Sequence, residues 1–452
     1  MNDIIKKSQN KNKPAGTNHH MSVRWGEAFE SSPNGRASES TLSDKTSIIC
    51  RLAALILKTG AGGWRVRDAV NRASKALGVT ATVSVGLTDI ECTVRDGAEQ
   101  RSQTVVIPDS GVNTKLLIDL DDFLSKIDDR GEDITLHDYH VKMDDIEGKK
   151  PLYPPALSGL AAAFACCAFT FLLGGGPLEM FCAFVGAGLG QFVRRLVLAN
   201  RINQLLAVGA GVVISCVAYL LMLFLLSFAV PDAMEHQMGY IGAMLFVIPG
   251  FPLITSALDM FLFDMRSGIE RLAYALLIIM ISTLIGWFLA VLLQLKPNDY
   301  FSYDMPEIAM CVLRLIAAFV GVFGFSIMFN SPVKVALIAG VMGSVSDTLN
   351  LELVKYFGFA PEIGAFLGAL TAGLLASAIW KKTNIPRTVI TVPSIVIMIP
   401  GLYLYKSMFF MAQFETIDAM TWLIRACMIV VFLPVGLALA RALTDTHWRH
   451  TS

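Results

Sequence analysis

The chain is poor in charged residues. Of its 452 residues only 16% are Asp, Glu, Lys or Arg, whereas soluble globular proteins carry roughly a quarter. Hydrophobic residues make up 54%, and the mean hydropathy is +0.56. This composition excludes an ordinary soluble protein of this size and indicates a chain that is largely embedded in a membrane.

Enzyme and metal-binding signatures are also missing. The sequence contains no GxSxG, HExxH, GxGxxG or P-loop pattern, which argues against catalysis and against ATP-driven transport within this chain. Its eight cysteines form no CxxC pair, and six lie in apolar segments, where a free Cys packs as a small hydrophobe. His137 and His140 could bind a metal, but without a further ligand nearby this spacing favours a surface helix face. We expect no enzyme activity, metal or cofactor.

The charge is unevenly distributed. Residues 1–155 hold 21 of the 37 Lys and Arg, so the net charge of zero averages two different regions and says nothing about partners. Residues 1–42 are polar and predict a disordered tail. Because residues 1–45 are polar and carry no secretory signal, we expect the N-terminus either to stay in the cytoplasm or to be carried across by the first span.

Residues 43–150 predict a small cytoplasmic α/β domain. Helical spacing of apolar residues predicts helices up to Lys58, over 65–77 and over 112–127. Three short β-branched runs between the second and third helices predict strands: "ATVSV", "IECTV" and "QTVVI". The prolines of "LYPPA" at 152–156 mark the end of the domain.

The remainder predicts ten membrane spans, since a hydrocarbon core needs about 20 apolar residues. The expected bounds are 156–174, 177–193, 203–229, 239–258, 269–294, 308–329, 332–347, 360–380, 388–410 and 417–440. The second and seventh are expected to be short. Both begin at a proline, Pro177 and Pro332, and carry a glycine at the same distance, Gly188 and Gly343.

The loop charges predict the orientation. With the N-terminal domain inside, eleven cations fall in inner loops and three in outer loops. The inner ones are Arg194, Arg195, Arg201, Arg266, Arg271, Lys334, Lys381, Lys382, Arg387, Arg441 and Arg449, and the outer ones are Lys296, Lys355 and Lys406. This asymmetry predicts that both termini lie in the cytoplasm.

Two apolar segments contain the same helix-breaking pair. "VIPGFPL" at 247–253 lies in the fourth span, and "MIPGLYL" at 398–404 lies 151 residues later in the ninth. The membrane part therefore predicts two five-span repeats, 156–295 and 306–441. Because five is odd, the second repeat is expected to be inverted, a pattern typical of secondary transporters.

The two Pro-Gly pairs predict a binding site near the bilayer midplane. A break in a membrane helix leaves backbone groups that need protein or a water-filled cavity around them. The positive ends of half-helices that start after Gly250 and Gly401 suit a carboxylate. The alternative is an ordinary proline kink packed against neighbouring helices.

Ionisable residues in the spans are further candidates, because such groups are costly in a membrane. The predicted substrate-binding residues are Pro249, Gly250, Pro400, Gly401, Arg314 and Asn330, with Arg425 as an alternative cation for Arg314. The predicted proton-coupling residues are Asp347, Asp259 and Glu352. Snorkelling at the interface is the alternative for all such groups, and it is favoured for Asp264, Glu362 and Glu179.

This layout resembles the threonine/serine exporter family. The resemblance rests on "KTGAGGWRVRDAVNRASKALG" at 58–78, on ten spans in two halves and on "IPG" in the fourth span of each half, and it covers about residues 43–445. The two halves are similar to the family's N-terminal and C-terminal modules. In the soluble motif Arg65 and Val66 match, but Arg67 stands where Glu is common, so that any role of that acidic position would pass to Asp68.

The resemblance implies export of threonine or serine driven by the proton gradient, while split relatives imply dicarboxylates such as succinate. Two alternatives from other classes are a membrane-anchored hydrolase that uses the N-terminal domain and a passive channel. The expected partners are a small-molecule substrate, protons and the lipid bilayer, with a homo-oligomer left open and nucleic acid excluded.

Overall fold

The structure is a computed structural model that describes residues 25, 30–107, 111–130, 134–295, 306–383 and 385–446. These residues form an N-terminal domain over 30–150 and a membrane domain from residue 155 onward. Most of the predicted tail lies outside the described residues. Residues 37–39 form a 3-10 turn, and Ala37 N–H donates to Ile134 O at 3.0 Å, which ties the end of that tail to the domain.

The N-terminal domain packs four helices against an antiparallel sheet of order β1-β2-β3. Its elements are α1 Leu42–Lys58, α2 Gly63–Ala76, β1 Thr80–Val85, β2 Asp89–Asp96, β3 Glu99–Val106, α3 Thr114–Arg130 and α4 Leu136–Glu147. In the central strand Ile90, Cys92 and Val94 are fully buried, because alternate residues of a strand point to the same face.

Helix α4 agrees with the helix expected at His137 and His140, but only one of the two histidines lies on its surface. His137 is exposed as expected, but His140 is buried and its Nδ1 lies 3.2 Å from Arg51 Nη1. Burial, and then the Arg51 charge, lower the pKa of His140 to about 4. His140 is therefore part of the domain core.

The membrane domain consists of twelve helical segments in the described ranges. They are α5 Pro155–Leu172, α6 Pro177–Ala199, α7 Gln204–Ser227, α8 Gly239–Met244, α9 Gly250–Phe261, α10 Met265–Leu292, α11 Glu307–Met328, α12 Val333–Phe357, α13 Pro361–Thr383, α14 Arg387–Ile395, α15 Gly401–Ala412 and α16 Thr416–Thr444. Eight are long and apolar enough to cross a membrane.

The other four segments form two bent pairs. The chain bends by 57° between α8 and α9 and by 44° between α14 and α15. If each pair is one span, the described residues contain ten. The predicted polytopic helical domain is confirmed, with eight to ten spans in the described residues. The predicted fourth and ninth spans are both broken at their Pro-Gly pair.

The expectation of short second and seventh spans is wrong. Helices α6 and α12 have 23 and 25 residues. Polar residues interrupt their apolar runs, but both helices continue past them because the backbone remains hydrogen-bonded within the helix. Arg194 lies within α6, and Asp347 lies within α12.

The N-terminal domain contacts the membrane domain at one end of the helix bundle, which we call the domain side. Gly63 N–H donates to Asp259 Oδ2 at 2.9 Å beside the α9–α10 turn. Thr114 N–H donates to Phe329 O at 3.1 Å at the α11–α12 turn. Successive spans run in opposite directions, so a count of ten brings both turns to this side. We call the opposite end the far side.

Candidate functional site

The two helix breaks have the same backbone geometry. Pro249 has φ −81° and ψ 59°, and Pro400 has φ −79° and ψ 55°. The glycine N–H that follows donates to Ile248 O in one break and to Ile399 O in the other, at 2.8 Å each. Both prolines therefore sit at the centre of an inverse γ-turn, and the turns are 151 residues apart.

The breaks also pack against each other in a reciprocal manner. A Cβ atom on Gly250 would lie 2.5 Å from Ile399 Cδ1, and one on Gly401 would approach Ile248 Cδ1 even more closely. Real Cβ atoms essentially never come within 3.0 Å of such a neighbour. A Cβ at either glycine would therefore displace the side chain of the residue two positions before the other glycine. The two broken spans cross at this point.

A narrow apolar cavity lies at the crossing, with space for about one water molecule. Its lining consists of three pairs of residues, one member from each half: Phe169 and Phe325, Leu245 and Val396, Ile248 and Ile399. Two of the pairs are separated by 151 positions and the phenylalanine pair by 156. In this conformation the crossing is closed by hydrocarbon side chains.

A second small cavity next to Gly401 has polar residues in its lining. Ser282 and Thr283 of α10 face it together with aliphatic side chains. Nearby elements also carry a buried tyrosine pair, in which the hydroxyls of Tyr240 in α8 and Tyr405 in α15 hydrogen-bond to each other. Sequence reasoning missed these four residues, because Ser, Thr and Tyr in apolar segments carry no spacing signal and the two tyrosines are 165 positions apart.

Three of the predicted site residues come together between α11 and α12. Arg314 Nη1 donates to Glu352 Oε1 at 2.8 Å, and these side chains are 18% and 20% exposed. Asp347 is 3% exposed, hydrogen-bonds to Asn350 and lies within electrostatic range of Arg314. This group contains one cation and two carboxylates toward the far side, and its residues face each other across two neighbouring helices.

Asp259 lies elsewhere, on the domain side, and is fully buried. Its Oδ2 accepts from Gly63 N–H at 2.9 Å and from Ser267 Oγ at 2.8 Å. Arg271 Nε lies 3.5 Å from the same oxygen, and its guanidinium donates to the carbonyls of Gly60 and Ala61. The Asp259 carboxylate thus holds the glycine loop of the N-terminal domain against α9 and α10.

Arg67 of the N-terminal domain forms an ion pair with the membrane domain. It donates to both carboxylate oxygens of Asp264, with distances of 2.8 Å and 2.7 Å. Asp264 is 4% exposed, so the snorkelling interpretation is wrong for it. This interpretation is also wrong for Glu179, which is 1% exposed and accepts from Gly176 N–H at 3.0 Å.

Asn330 also lies on the domain side, in the turn between α11 and α12. It has a φ of 63°, a left-handed conformation that Asn tolerates better than most residues. Its side chain accepts from Leu152 N–H and donates to Asn113 Oδ1, at 2.8 Å each. These contacts join the N-terminal domain to the second half of the membrane domain.

Within the described ranges no group of three or more His, Cys, Asp or Glu side chains is arranged for a metal ion. The fold is that of a multi-span membrane protein with two crossed, broken helices. Buried charges lie at both ends of its helix bundle. These features define the class as a membrane transport protein.

Family comparisons place the chain within this class. Residues 47–294 match the family described as putative threonine/serine exporter, and residues 314–443 match a second family described as threonine/serine exporter. The chain therefore belongs to the threonine/serine exporter family, which is a family of transporters.

Two curated relatives are also named as an exporter and a transporter subunit. The chain is 22% identical over 413 residues to a probable threonine/serine exporter of Mycobacterium tuberculosis, covering 87% of this chain and 75% of the relative. It is 25% identical over 255 residues to the probable succinate transporter subunit YjjP of Klebsiella aerogenes, covering 54% of this chain and 92% of the relative. No solved structure matches.

Proposed function

We propose that the protein is a secondary active exporter of threonine and serine in the bacterial inner membrane, driven by proton antiport. The observation that carries this proposal is the reciprocal crossing of Gly250 and Gly401, which supports two inverted five-span repeats. Broken helices in matching positions of such repeats are where secondary transporters bind their substrates.

The direction of the chain supports the inversion. The α8–α9 pair runs from the far side to the domain side, whereas α14–α15 runs the opposite way. The same γ-turn therefore occurs in spans of opposite direction. With the N-terminal domain in the cytoplasm, each half offers one half-helix to each side of the membrane. Rocking of one half against the other would expose the crossing alternately to the two sides.

Substrate recognition would use the first turns of α9 and α15. The N–H groups of Gly250 and Gly401 are used within their γ-turns, and those of Leu253 and Leu404 bond to Pro249 O and Pro400 O. Because Pro252 has no N–H, a carboxylate would be held by Phe251 N–H in α9 and by the N–H groups of Leu402 and Tyr403 in α15. The present crossing leaves space for about one water molecule. Loading therefore requires Ile248 and Ile399 to separate, and the polar wall of Ser282 and Thr283 would then meet a small hydroxyl-bearing solute.

Proton coupling would use the group formed by Arg314, Asp347 and Glu352. A buried carboxylate such as Asp347 is costly to ionise unless a cation lies nearby. Opening of α11 against α12 would change its distance from Arg314. This change would alter the affinity of Asp347 for a proton and link protonation to the conformation.

The N-terminal domain would regulate access from the cytoplasm. It contacts both halves on the domain side: its glycine loop is held by Asp259 and Arg271 of the first half. In the second half it contacts Asn330, and the Arg441 guanidinium lies 4.1 Å from the centre of the Trp64 ring. A domain attached to both halves restrains their relative motion.

The test is transport by the purified protein in proteoliposomes loaded with labelled threonine, serine or succinate. We expect efflux of threonine or serine that rises when a proton gradient is imposed and falls with an uncoupler. Flux that changes neither with the imposed proton gradient nor with the uncoupler would indicate a channel. Absence of flux for all three solutes, together with hydrolysis of an amide or ester by the full chain, would indicate an enzyme.

A dicarboxylate is the second candidate substrate, because the Klebsiella aerogenes relative is named as a probable succinate transporter subunit. A dicarboxylate would need a second cation at the site. Gradient-dependent efflux of succinate but not of threonine would select this alternative and leave the transport mechanism unchanged.

A further inference from the structure

A carboxylate and a histidine meet at the far side of the membrane domain, away from the groups considered above. Glu179 lies in the first turn of α6, and its Oε1 is 2.6 Å from His236 Nδ1. Glu179 is 1% exposed, whereas the His236 side chain is 18% exposed. One partner is therefore withdrawn from water while the other reaches the surface.

The pair lies against the start of a broken span. Gly239 begins α8, three residues after His236. A Cβ atom on Gly239 would lie 2.9 Å from Glu179 Cβ, so the carboxylate-bearing residue packs directly on the helix start. Tyr219 of α7 donates its hydroxyl hydrogen to His236 O at 2.6 Å. A change in the pair is thereby transmitted to the outer half of the broken span.

The carboxylate of Glu179 has a second contact besides His236. It accepts from Gly176 N–H at 3.0 Å at the N-terminus of α6. The other titratable groups on adjoining elements are Cys182 on α6 and Tyr219 on α7, with Asp232 and Glu235 exposed on the α7–α8 turn. Histidine is the side chain that ordinarily changes charge near neutral pH.

We propose that Glu179 and His236 form the outward-facing proton-binding site of the exporter. This inference rests on the proposed function, because antiport requires proton uptake from the outside. In the step that we infer, a proton from external water binds His236 Nε2, and the proton on Nδ1 moves to Glu179 Oε1. The histidine ends neutral, the glutamate ends as a carboxylic acid, and the net charge of the pair rises from −1 to 0.

The first test does not depend on transport. Infrared difference spectra of the purified protein between high and low pH report the C=O band of a carboxylic acid that gains a proton. We expect the intensity of this band to be lower in Glu179→Gln than in the wild type, and unchanged in Glu235→Gln, the matched control on the neighbouring exposed turn. Intensity that remains in Glu179→Gln belongs to other buried carboxylates such as Asp347. Equal band intensity in the wild type and Glu179→Gln, or a wild type without a band, would overturn the proposal.

The second test separates coupling from folding. In Glu179→Gln and His236→Gln we expect the proton gradient to lose its stimulation of threonine efflux. Exchange of labelled for unlabelled threonine at equal pH should be retained, because exchange moves no net proton. A purely structural role would lower efflux and exchange by the same factor. If Glu179→Gln fails to fold, His236→Gln answers the same question while keeping the carboxylate.

If the wild type transports no threonine, serine or succinate, the proposed function fails, and the infrared result still decides whether this pair binds a proton. If the wild type transports with gradient stimulation and both variants keep that stimulation, the pair is not the coupling site while the proposed function stands. The two failures are therefore distinguishable.

Discussion

The two halves of the membrane domain agree at their helix breaks and differ at the ends of the broken spans. At the breaks, Gly250 and Gly401 have matching turns and reciprocal contacts. The agreement extends to the turn after each broken span, where Phe263 and Phe414, 151 residues apart, have φ of 60° and 62°.

The side chains at those ends are not alike. Positions 259, 264 and 271 of the first half carry Asp, Asp and Arg, which bind the N-terminal domain. The positions 151 residues later carry Phe410, Glu415 and Trp422, and Lys406 Nζ lies 4.6 Å from the centre of the Trp422 ring. The backbone of the two halves thus agrees at the crossing, while only the first half is attached to the domain at this point. The difference separates the contacts at the crossing from the contacts that hold the N-terminal domain.

The largest expected effect comes from removing Arg271, which attaches the first half to the glycine loop of the N-terminal domain. Arg271 is 4% exposed and donates to Gly60 O and Ala61 O. Loss of one partner from a buried ion pair costs about 3–5 kcal/mol. In Arg271→Gln we therefore expect the glycine loop to detach and trypsin to cleave after Lys58 at least about tenfold faster than in the wild type.

Arg266→Gln is the matched control, because Arg266 lies on the same helix but is 44% exposed, and its ion pairs with Asp89 and Glu270 are accessible to water. Such pairs contribute about 0–1 kcal/mol. Equal cleavage rates in the two variants would contradict the view that buried charge, rather than surface charge, attaches the domain.

The next effect tests the agreement of the halves. Gly401→Ala and Gly250→Ala both insert a methyl group where none fits, and overpacking costs about 1–3 kcal/mol. We expect both variants to lower the unfolding temperature by similar amounts. Gly321→Ala should leave it almost unchanged, because a Cβ there meets its nearest neighbour at 3.5 Å. A large decrease in the unfolding temperature for only one of the two glycine variants would contradict the reciprocal packing of the two helix breaks.

The smallest effect concerns the domain itself. Because the pKa of His140 is lowered to about 4 from an ordinary 6.5, the unfolded domain binds a proton in this interval and the folded domain does not. The contribution of His140 to the stability of the domain is therefore complete above pH 6.5, and it is lost as the pH falls toward 4.

We expect tryptic cleavage of the N-terminal domain to rise through this interval in the wild type. The rise should be smaller in His140→Asn, which keeps an acceptor for Arg51, and unchanged in His137→Asn, since His137 is exposed. An identical pH response in all three proteins would show that His140 does not titrate on unfolding.

Much of the fold follows from the sequence, because long apolar segments and Pro-Gly pairs are local signals. The site was predictable only in part, since its contacts join distant positions. Nothing local to Ile248 or Ile399 indicates that each faces the other half's glycine. Likewise, the burial of Asp264 depends on Arg67, which lies 197 residues away, so its surroundings could not be read from its own span.

The most direct test of the central claim is gradient-driven threonine efflux by Pro249→Ala, Pro400→Ala and Arg314→Ala in proteoliposomes, with Gly321→Ala as the folded control. If transport passes through the crossed breaks, efflux in both proline variants falls by about tenfold or more, efflux in Arg314→Ala loses its response to the gradient, and the control equals the wild type. Wild-type efflux in all three variants would contradict the account.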